Sequence, residues 1–295
     1  MKNLRLSILM GILVITSVIF YRQMFAGHEA NLSSSQNQEP TTNATTTANG
    51  VEGDFNDSNT DCNVARVKIN NPIDVEEVYY NDNGDVTASS ENIVKKLEEI
   101  GDNDNWKAVL LAINSPGGDP VASEEIANAV KRLAKPVVAV IQSIGASGAY
   151  MVASAANYIF ASRFSDVGSI GVTWSYLDNS VQNKKEGLTY NSLSSGKFKD
   201  TLDPDKPLTK EEKDLLMRDV LKSYDLFVKM VAENRKISVA QVKQLADGST
   251  MMGESALANG LIDAIGDEYE AKQWLKNEIK ERANPCDYEL KDSEL

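Results

Sequence analysis

Three short apolar runs, Val109-Leu-Leu-Ala-Ile113, Val137-Val-Ala-Val-Ile141 and Tyr158-Ile-Phe-Ala161, alternate with helical stretches through the middle of the chain. A strand without polar alternation must be covered on both faces, which is the habit of parallel sheets. Ser90 to Ile100 carries Ile93, Val94, Leu97 and Ile100 at helical spacing. Ser123 to Leu133 reads as a second helix, with Glu124 and Glu125 in its first turn, where the helix dipole favours them. An Ala-rich helix follows Ser147, and a long one runs from Leu208 to Asn234 behind the capping box Thr209-x-x-Glu212. Val64 to Ile69 alternates like a strand, Val239 to Leu245 is a short helix, and Tyr269 to Arg282 closes the fold. This order predicts an α/β domain over residues 62–295 with a largely parallel, buried sheet.

The segments before it are of another kind. Lys2 and Arg5 precede 16 uncharged, mostly apolar residues, Leu6 to Tyr21, closed by Arg22. A membrane helix needs about 20, and flanking arginines can reach the interfaces to make up the difference. A cleavable signal peptide is the competing reading, but Met24-Phe-Ala26 offers only one small residue, which favours an uncleaved anchor over residues 1–27. The basic N-terminus then stays in the cytoplasm, and the bulk of the protein lies outside the cell membrane as a single-pass protein. Residues 28–61 are Ser, Thr, Asn, Gln and Glu with few apolar side chains, a composition that predicts a disordered tether.

The chain of 295 residues has a formal charge of −13. Residues 1–27 hold three basic and no acidic side chains, so the remainder stands at −16. Such a surface argues against nucleic acid as a partner. Cys62 and Cys286 are too few for a disulfide framework and have no metal-ligand spacing. One bridge between the ends of the domain and two free thiols are both open.

Chemistry concentrates in four short motifs. Asn114-Ser-Pro-Gly-Gly118 lies between a buried strand and a helix, where ligands of open α/β sheets bind. Its paired glycines could aim N–H groups at an oxyanion, although a lone Pro-Gly-Gly also serves as a plain turn. Gly145-Ala-Ser-Gly148 places Ser147 at the next such junction, as an exposed nucleophile or as part of a small-residue packing helix. Gly168-Ser-Ile-Gly171 holds Ser169, either a turn serine or a residue that orients an amine. Ser195-Gly-Lys-Phe-Lys-Asp200 offers Lys197 and Lys199, which in isolation read as a solvated loop. A serine nucleophile needs a base, and the only histidine, His28, sits between the apolar segment and the polar linker. The best remaining base is lysine, which must lose about three pKa units, or about 4 kcal/mol, to act near neutral pH.

These motifs, in this order and together with Gly253-Glu-Ser-Ala-Leu-Ala-Asn-Gly-Leu-Ile-Asp263, resemble the signal peptide peptidase A family of membrane-bound Ser-Lys proteases from about Ala65 to Ala271. The resemblance implies a ClpP/crotonase-like fold of stacked ββα units. It implies Ser147 as nucleophile, Lys199 as general base with Lys197 as the rival, Ser169 as the residue orienting the lysine, and the N–H groups of Gly117 and Gly118 as the oxyanion hole. Ala149 stands where glycine is usual, a small departure. The resemblance further implies peptide substrates such as remnant signal peptides, no metal or nucleotide cofactor, and a homo-oligomer whose active sites are shared between subunits. A Ser-His-Asp protease lacks its histidine here, and an acyl-CoA enzyme of the same fold would leave the lysine motif unexplained. A Ser-Lys protease dedicated to one membrane-protein partner and an inactive membrane-tethered scaffold remain as alternatives.

Overall fold

The computed structural model describes residues 62–290. The expected anchor (1–27) and the expected tether (28–61) lie outside those residues, and among the described residues no helix is long and apolar enough to cross a membrane.

The sheet is built from β1 (Val64–Asn70), β4 (Ala108–Ser115), β5 (Val137–Ala146), β6 (Tyr158–Ala161), β7 (Asp166–Gly168), β8 (Thr250–Met252), β9 (Ala264–Ile265) and β10 (Pro285–Asp287), with β2 (Ile73–Asp74) and β3 (Ala88–Ser89) pairing apart. Its order is β10-β1-β4-β5-β6-β9; β7 joins the far end of β5, and β8 pairs with β7. Every pairing in the main sheet is parallel except β7 with β8. The expected α/β class and largely parallel sheet are therefore what the chain adopts.

Central strand β4 explains the apolar runs. Val109, Leu111 and Ile113 face one cluster of the core, and Ala108, Leu110 and Ala112 face the other, all buried. The first face is covered by α1 (Ser90–Asp102), α2 (Pro120–Arg132) and α3 (Gly148–Ser154), joined by the second half of α5 (Lys210–Arg235). The opposite face carries α8 (Glu268–Ile279), whose Ala271 and Leu275 are buried. Shorter helices α4 (Ser180–Lys185), α6 (Val239–Leu245) and α7 (Gly253–Ala258) complete the set.

Two boundaries differ from expectation for clear reasons. Helix α2 begins at Pro120, not Ser123, because Asp119 is the cap: its carboxylate accepts from the N–H groups of Val121 and Ala122, and Pro120 fills the first position. Glu124 and Glu125 consequently fall beyond the first residues of the helix. Helix α8 stops at Ile279, with Lys280 in the left-handed region at φ 60°.

Cys62 and Cys286 form a disulfide, with their Cα atoms 5.8 Å apart. The bridge joins the start of the domain to β10, which pairs in register with β1 at Val64↔Pro285. Closing a loop this long contributes about 2–5 kcal/mol. A second clasp is Arg235, whose guanidinium grips both carboxylate oxygens of Asp263 at 2.7 and 3.0 Å and the Gly260 carbonyl at 3.0 Å.

Candidate active site

The site grows from an irregularity in the central sheet. Strands β4 and β5 pair up to Ile113↔Ile141, and their next pairing is Ser115↔Gly145, two residues further along β4 but four along β5. The extra residues, Gln142 and Ser143, bulge outward and are exposed. Buried Ser165 secures the bulge, its hydroxyl shared between the carbonyl oxygens of Ile141 and Gln142. A bulge bends its strand and re-aims the residues beyond it. Here the last residues of β5 leave β6, pair with β7 at Ile144↔Asp166 through Ala146↔Gly168, and turn at once into α3.

Ser147 is that turn. Its φ of 53° and ψ of −124° are a conformation that costs a non-glycine residue about 1–3 kcal/mol. Tight surroundings enforce it: the Ser147 N–H donates to the Gly168 carbonyl at 2.7 Å, and Ala146, Gly148, Ala149 and Tyr150 are all buried. The Ser147 hydroxyl does not cap α3, so it is left to the cavity it lines.

Opposite stands the Pro-Gly-Gly loop after β4. Gly117 has φ 91°, and a Cβ there would lie 2.5 Å from the Gly148 nitrogen and 2.8 Å from the Ser147 Cβ, so only glycine fits. Its own N–H donates to the buried hydroxyl oxygen of Ser115 at 3.1 Å. A Cβ on Gly148 would meet Ser123 Oγ at 2.1 Å and the Gly118 nitrogen at 3.3 Å. The amides of Gly118 and Gly148 thus lie side by side next to Ser147, and among the described residues neither N–H has an acceptor. Two free donors beside a hydroxyl can hold the oxyanion of a tetrahedral intermediate. Gly148 is absent from the sequence expectation. The signal for it is its place directly after the serine, where a strand-to-helix nucleophile turn presents its own N–H.

Ser169 reaches the same cavity from the end of β7. It also has positive φ, 51°, its N–H donates to the Ser249 carbonyl at 2.9 Å, and its hydroxyl donates to the Gly248 carbonyl at 2.8 Å. The hydroxyl oxygen keeps its lone pairs for a donor entering the cavity. That cavity, about 670 Å³, has an apolar floor of Met151, Tyr224 and Phe227. Asp219 and Asp247 also line it, held below the ordinary carboxylate range by hydrogen bonds from Arg218 and from Ser249, respectively.

Lys199 lies elsewhere. It is exposed in the turns of residues 195–202, its backbone N–H donating to the Gly196 carbonyl at 3.1 Å, and it does not line the cavity of its own chain. Lys197 is also outside, its ammonium 5.3 Å from the centre of the Phe198 ring. The structure therefore gathers Ser147, Ser169, Gly117 and Gly118, and leaves both lysines apart from them. The segment that carries the lysines is barely packed: α4 has no buried residue, and Trp174, Leu177, Val181, Leu188 and Phe198 are exposed.

One buried carboxylate moors this segment. Glu212, 3% exposed, accepts from Lys206 Nζ at 2.6 Å, Thr201 Oγ1 at 3.3 Å and the Thr209 N–H at 2.8 Å. Lys206 foremost, and then Thr209, hold its carboxyl down at about 2 against an ordinary 4.5. A depressed carboxylate stabilises the fold fully above its unfolded pKa and loses that contribution as pH falls towards its folded one. Urea melts should thus show stability falling between about pH 5 and pH 2, and falling less steeply in Glu212→Gln. Equal slopes in the two proteins would remove Glu212 as the cause.

Comparison with known proteins gives the chain its family. The family model for peptidase family S49 matches residues 129–282, and the Clp protease model matches residues 73–165. A Methanocaldococcus jannaschii protein provisionally named a protease is 41% identical over 194 residues, which is 65% of this chain and 62% of that one. An Enterococcus faecium protein provisionally named signal peptide peptidase SppA is 37% identical over 193 residues, 64% of this chain and 56% of its own. Protease 4 of Haemophilus influenzae is 33% identical over 200 residues, 66% of this chain and 32% of its own. The chain thus spans about six tenths of the length of the first two. The mostly parallel α/β sheet fits the ClpP-like match, and with the S49 model matching more than half of its length, the chain belongs to peptidase family S49.

Proposed function

We propose that this protein is a serine endopeptidase in which Ser147 attacks the peptide carbonyl and a lysine, Lys199, is its base. The observation that carries the reading is Ser147 itself, held at positive φ with an uncommitted hydroxyl beside two free amides on an apolar-floored cavity. The base removes the hydroxyl proton as the Ser147 Oγ bonds to the carbonyl carbon. The resulting oxyanion rests on the N–H groups of Gly118 and Gly148, while Gly117, whose N–H is engaged by Ser115, shapes the loop. The lysine then gives the proton to the leaving amine, and water releases the acyl group from Ser147.

Lys199 in this scheme comes from a neighbouring copy. Its absence from the cavity of its own chain and the exposed apolar side chains around it support the reading, since such side chains are covered when copies assemble. Ser169 then accepts from the incoming amine while its own O–H goes on donating to the Gly248 carbonyl. The apolar side chains Met151, Tyr224 and Phe227 in the lining favour an apolar substrate side chain. Substrates on this reading are apolar or unfolded peptides, remnant signal peptides among them, met at the membrane that the N-terminal segment anchors. The Cys62–Cys286 disulfide supports a domain on the oxidising, extracytoplasmic side. Hydrolysis of fluorogenic apolar peptides by the full chain, followed alongside sedimentation, tests the proposal. Cleavage confined to the assembled species supports it; cleavage by a dilute monomer refutes the shared site.

A further inference from the structure

We infer that Ser115 is a positioning residue: it makes no bond to substrate, yet its buried hydroxyl fixes one end of Gly117 and so, together with the Ile73 N–H at the other end, holds the Gly118 N–H in its direction. The inference rests on the peptidase reading above. Glycine at 117 is conformationally permissive, so the chain must fix its two dihedrals by other means. Two hydrogen bonds do so. On one side the Gly117 N–H donates to Ser115 Oγ at 3.1 Å. On the other, the Gly117 carbonyl accepts from the Ile73 N–H at 2.9 Å. The second bond aims the oxyanion donor, because the Gly117 carbonyl and the Gly118 N–H belong to one planar peptide and point opposite ways. With the carbonyl turned to Ile73, the Gly118 N–H faces the opposite way, and its nitrogen lies 3.3 Å from where a Cβ on Gly148 would stand. Remove the first bond and the Gly117 φ of 91° is held only from one end.

The placement of Ser115 is equally specific. It is 0% exposed, and it is the β4 residue at which pairing with β5 resumes beyond the bulge, opposite Gly145. The irregularity that delivers Ser147 from β5 therefore also sets the Ser115 hydroxyl beneath the glycine loop. Both halves of the site are referred to one point in the sheet, two residues from the serine turn.

The test compares steady-state kinetics of the full chain with Ser115→Ala and Ser115→Cys. Alanine leaves the Gly117 N–H without its acceptor, and sulfur is a weaker acceptor than oxygen. The expected result is kcat lowered about 10- to 100-fold in Ser115→Ala, with Ser115→Cys between it and the parent and KM within about twofold for all three. Affinity for a peptide boronate, which forms a tetrahedral adduct, should fall in the same order and by the same factors. Binding of an uncleaved peptide in a Ser147→Ala background should not change. A merely structural serine would alter melting temperature without this split. Parent-like kcat in Ser115→Ala, or a loss confined to KM, overturns the inference. If Ser115→Ala does not fold, Ser115→Cys decides on the same criteria. Undiminished hydrolysis by Ser147→Ala would instead refute the peptidase reading, so the two failures are distinguishable.

Discussion

Replacing Ser147 by alanine is expected to lower kcat/KM for peptide hydrolysis by about 10⁴-fold or more while leaving the protein folded. The size comes from the chemistry. Without the hydroxyl no acyl-enzyme forms, and the Gly118 and Gly148 amides can only assist attack by water. The fold is spared because the Ser147 side chain neither caps α3 nor fills the core. The turn is held by backbone, namely the 2.7 Å bond from the Ser147 N–H to the Gly168 carbonyl and the glycine contact at 117. Alanine keeps both, so the melting temperature should move by no more than a few degrees, about 1 kcal/mol. A variant that keeps more than about a tenth of parent activity would transfer the nucleophile to another residue.

The second large effect concerns Lys199. Lys199→Ala should be as inactive as Ser147→Ala, and mixing the two inactive proteins, with subunit exchange, should restore activity. In a randomly mixed ring, a site needs Ser147 from one copy and Lys199 from its neighbour. About one quarter of sites meet that condition, so recovery should approach about 25% of the parent. If both residues came from one chain, mixing would restore nothing. The structure motivates the experiment, because residues 195–202 are moored through Thr201 and Glu212 outside the Ser147 cavity of the same chain. Parent-like activity in Lys199→Ala would pass the role of base to Lys197 or another group.

How much of the fold is legible in the sequence depends on what each feature needs. The runs 109–113 and 137–141 read correctly as strands because both faces of the sheet are covered, so no polar residue interrupts them. The Thr209 capping box announces α5 because both of its hydrogen bonds are local. The apolar run of β5, in contrast, stops at Ile141, and Gln142 and Ser143 look like a polar turn; they are a bulge, and the strand runs on to Ala146. Strands β9 and β10 have two and three residues, too few to show a period, and exist because the sheet offers them an edge. Ser123, the expected start of the second helix, lies inside it and is buried, its hydroxyl donating to the Asp119 carbonyl at 2.7 Å. The cysteines cannot be paired from spacing, because their meeting depends on β10 lying beside β1.

The candidate site divides the same way. Ser147, Ser169, Gly117 and Gly118 are legible as small-residue turns, and the two glycines sit where a Cβ would clash with backbone. Ser115 contributes a hydroxyl acceptor to a neighbouring backbone N–H, a function that spacing rules pass over, whereas Gly148 is signalled only by its place directly after Ser147. The place of Lys199 is not encoded within one chain if, as proposed, its counterpart is the cavity of another copy.

The most direct test of Ser147 as nucleophile is reaction of the assembled protein with a fluorophosphonate, with mass-spectrometric mapping of the adduct. The prediction is a single adduct on Ser147, formed in step with loss of peptide hydrolysis and absent from Ser147→Ala. An adduct on any other residue, or hydrolysis that continues undiminished with Ser147 fully modified, would contradict it.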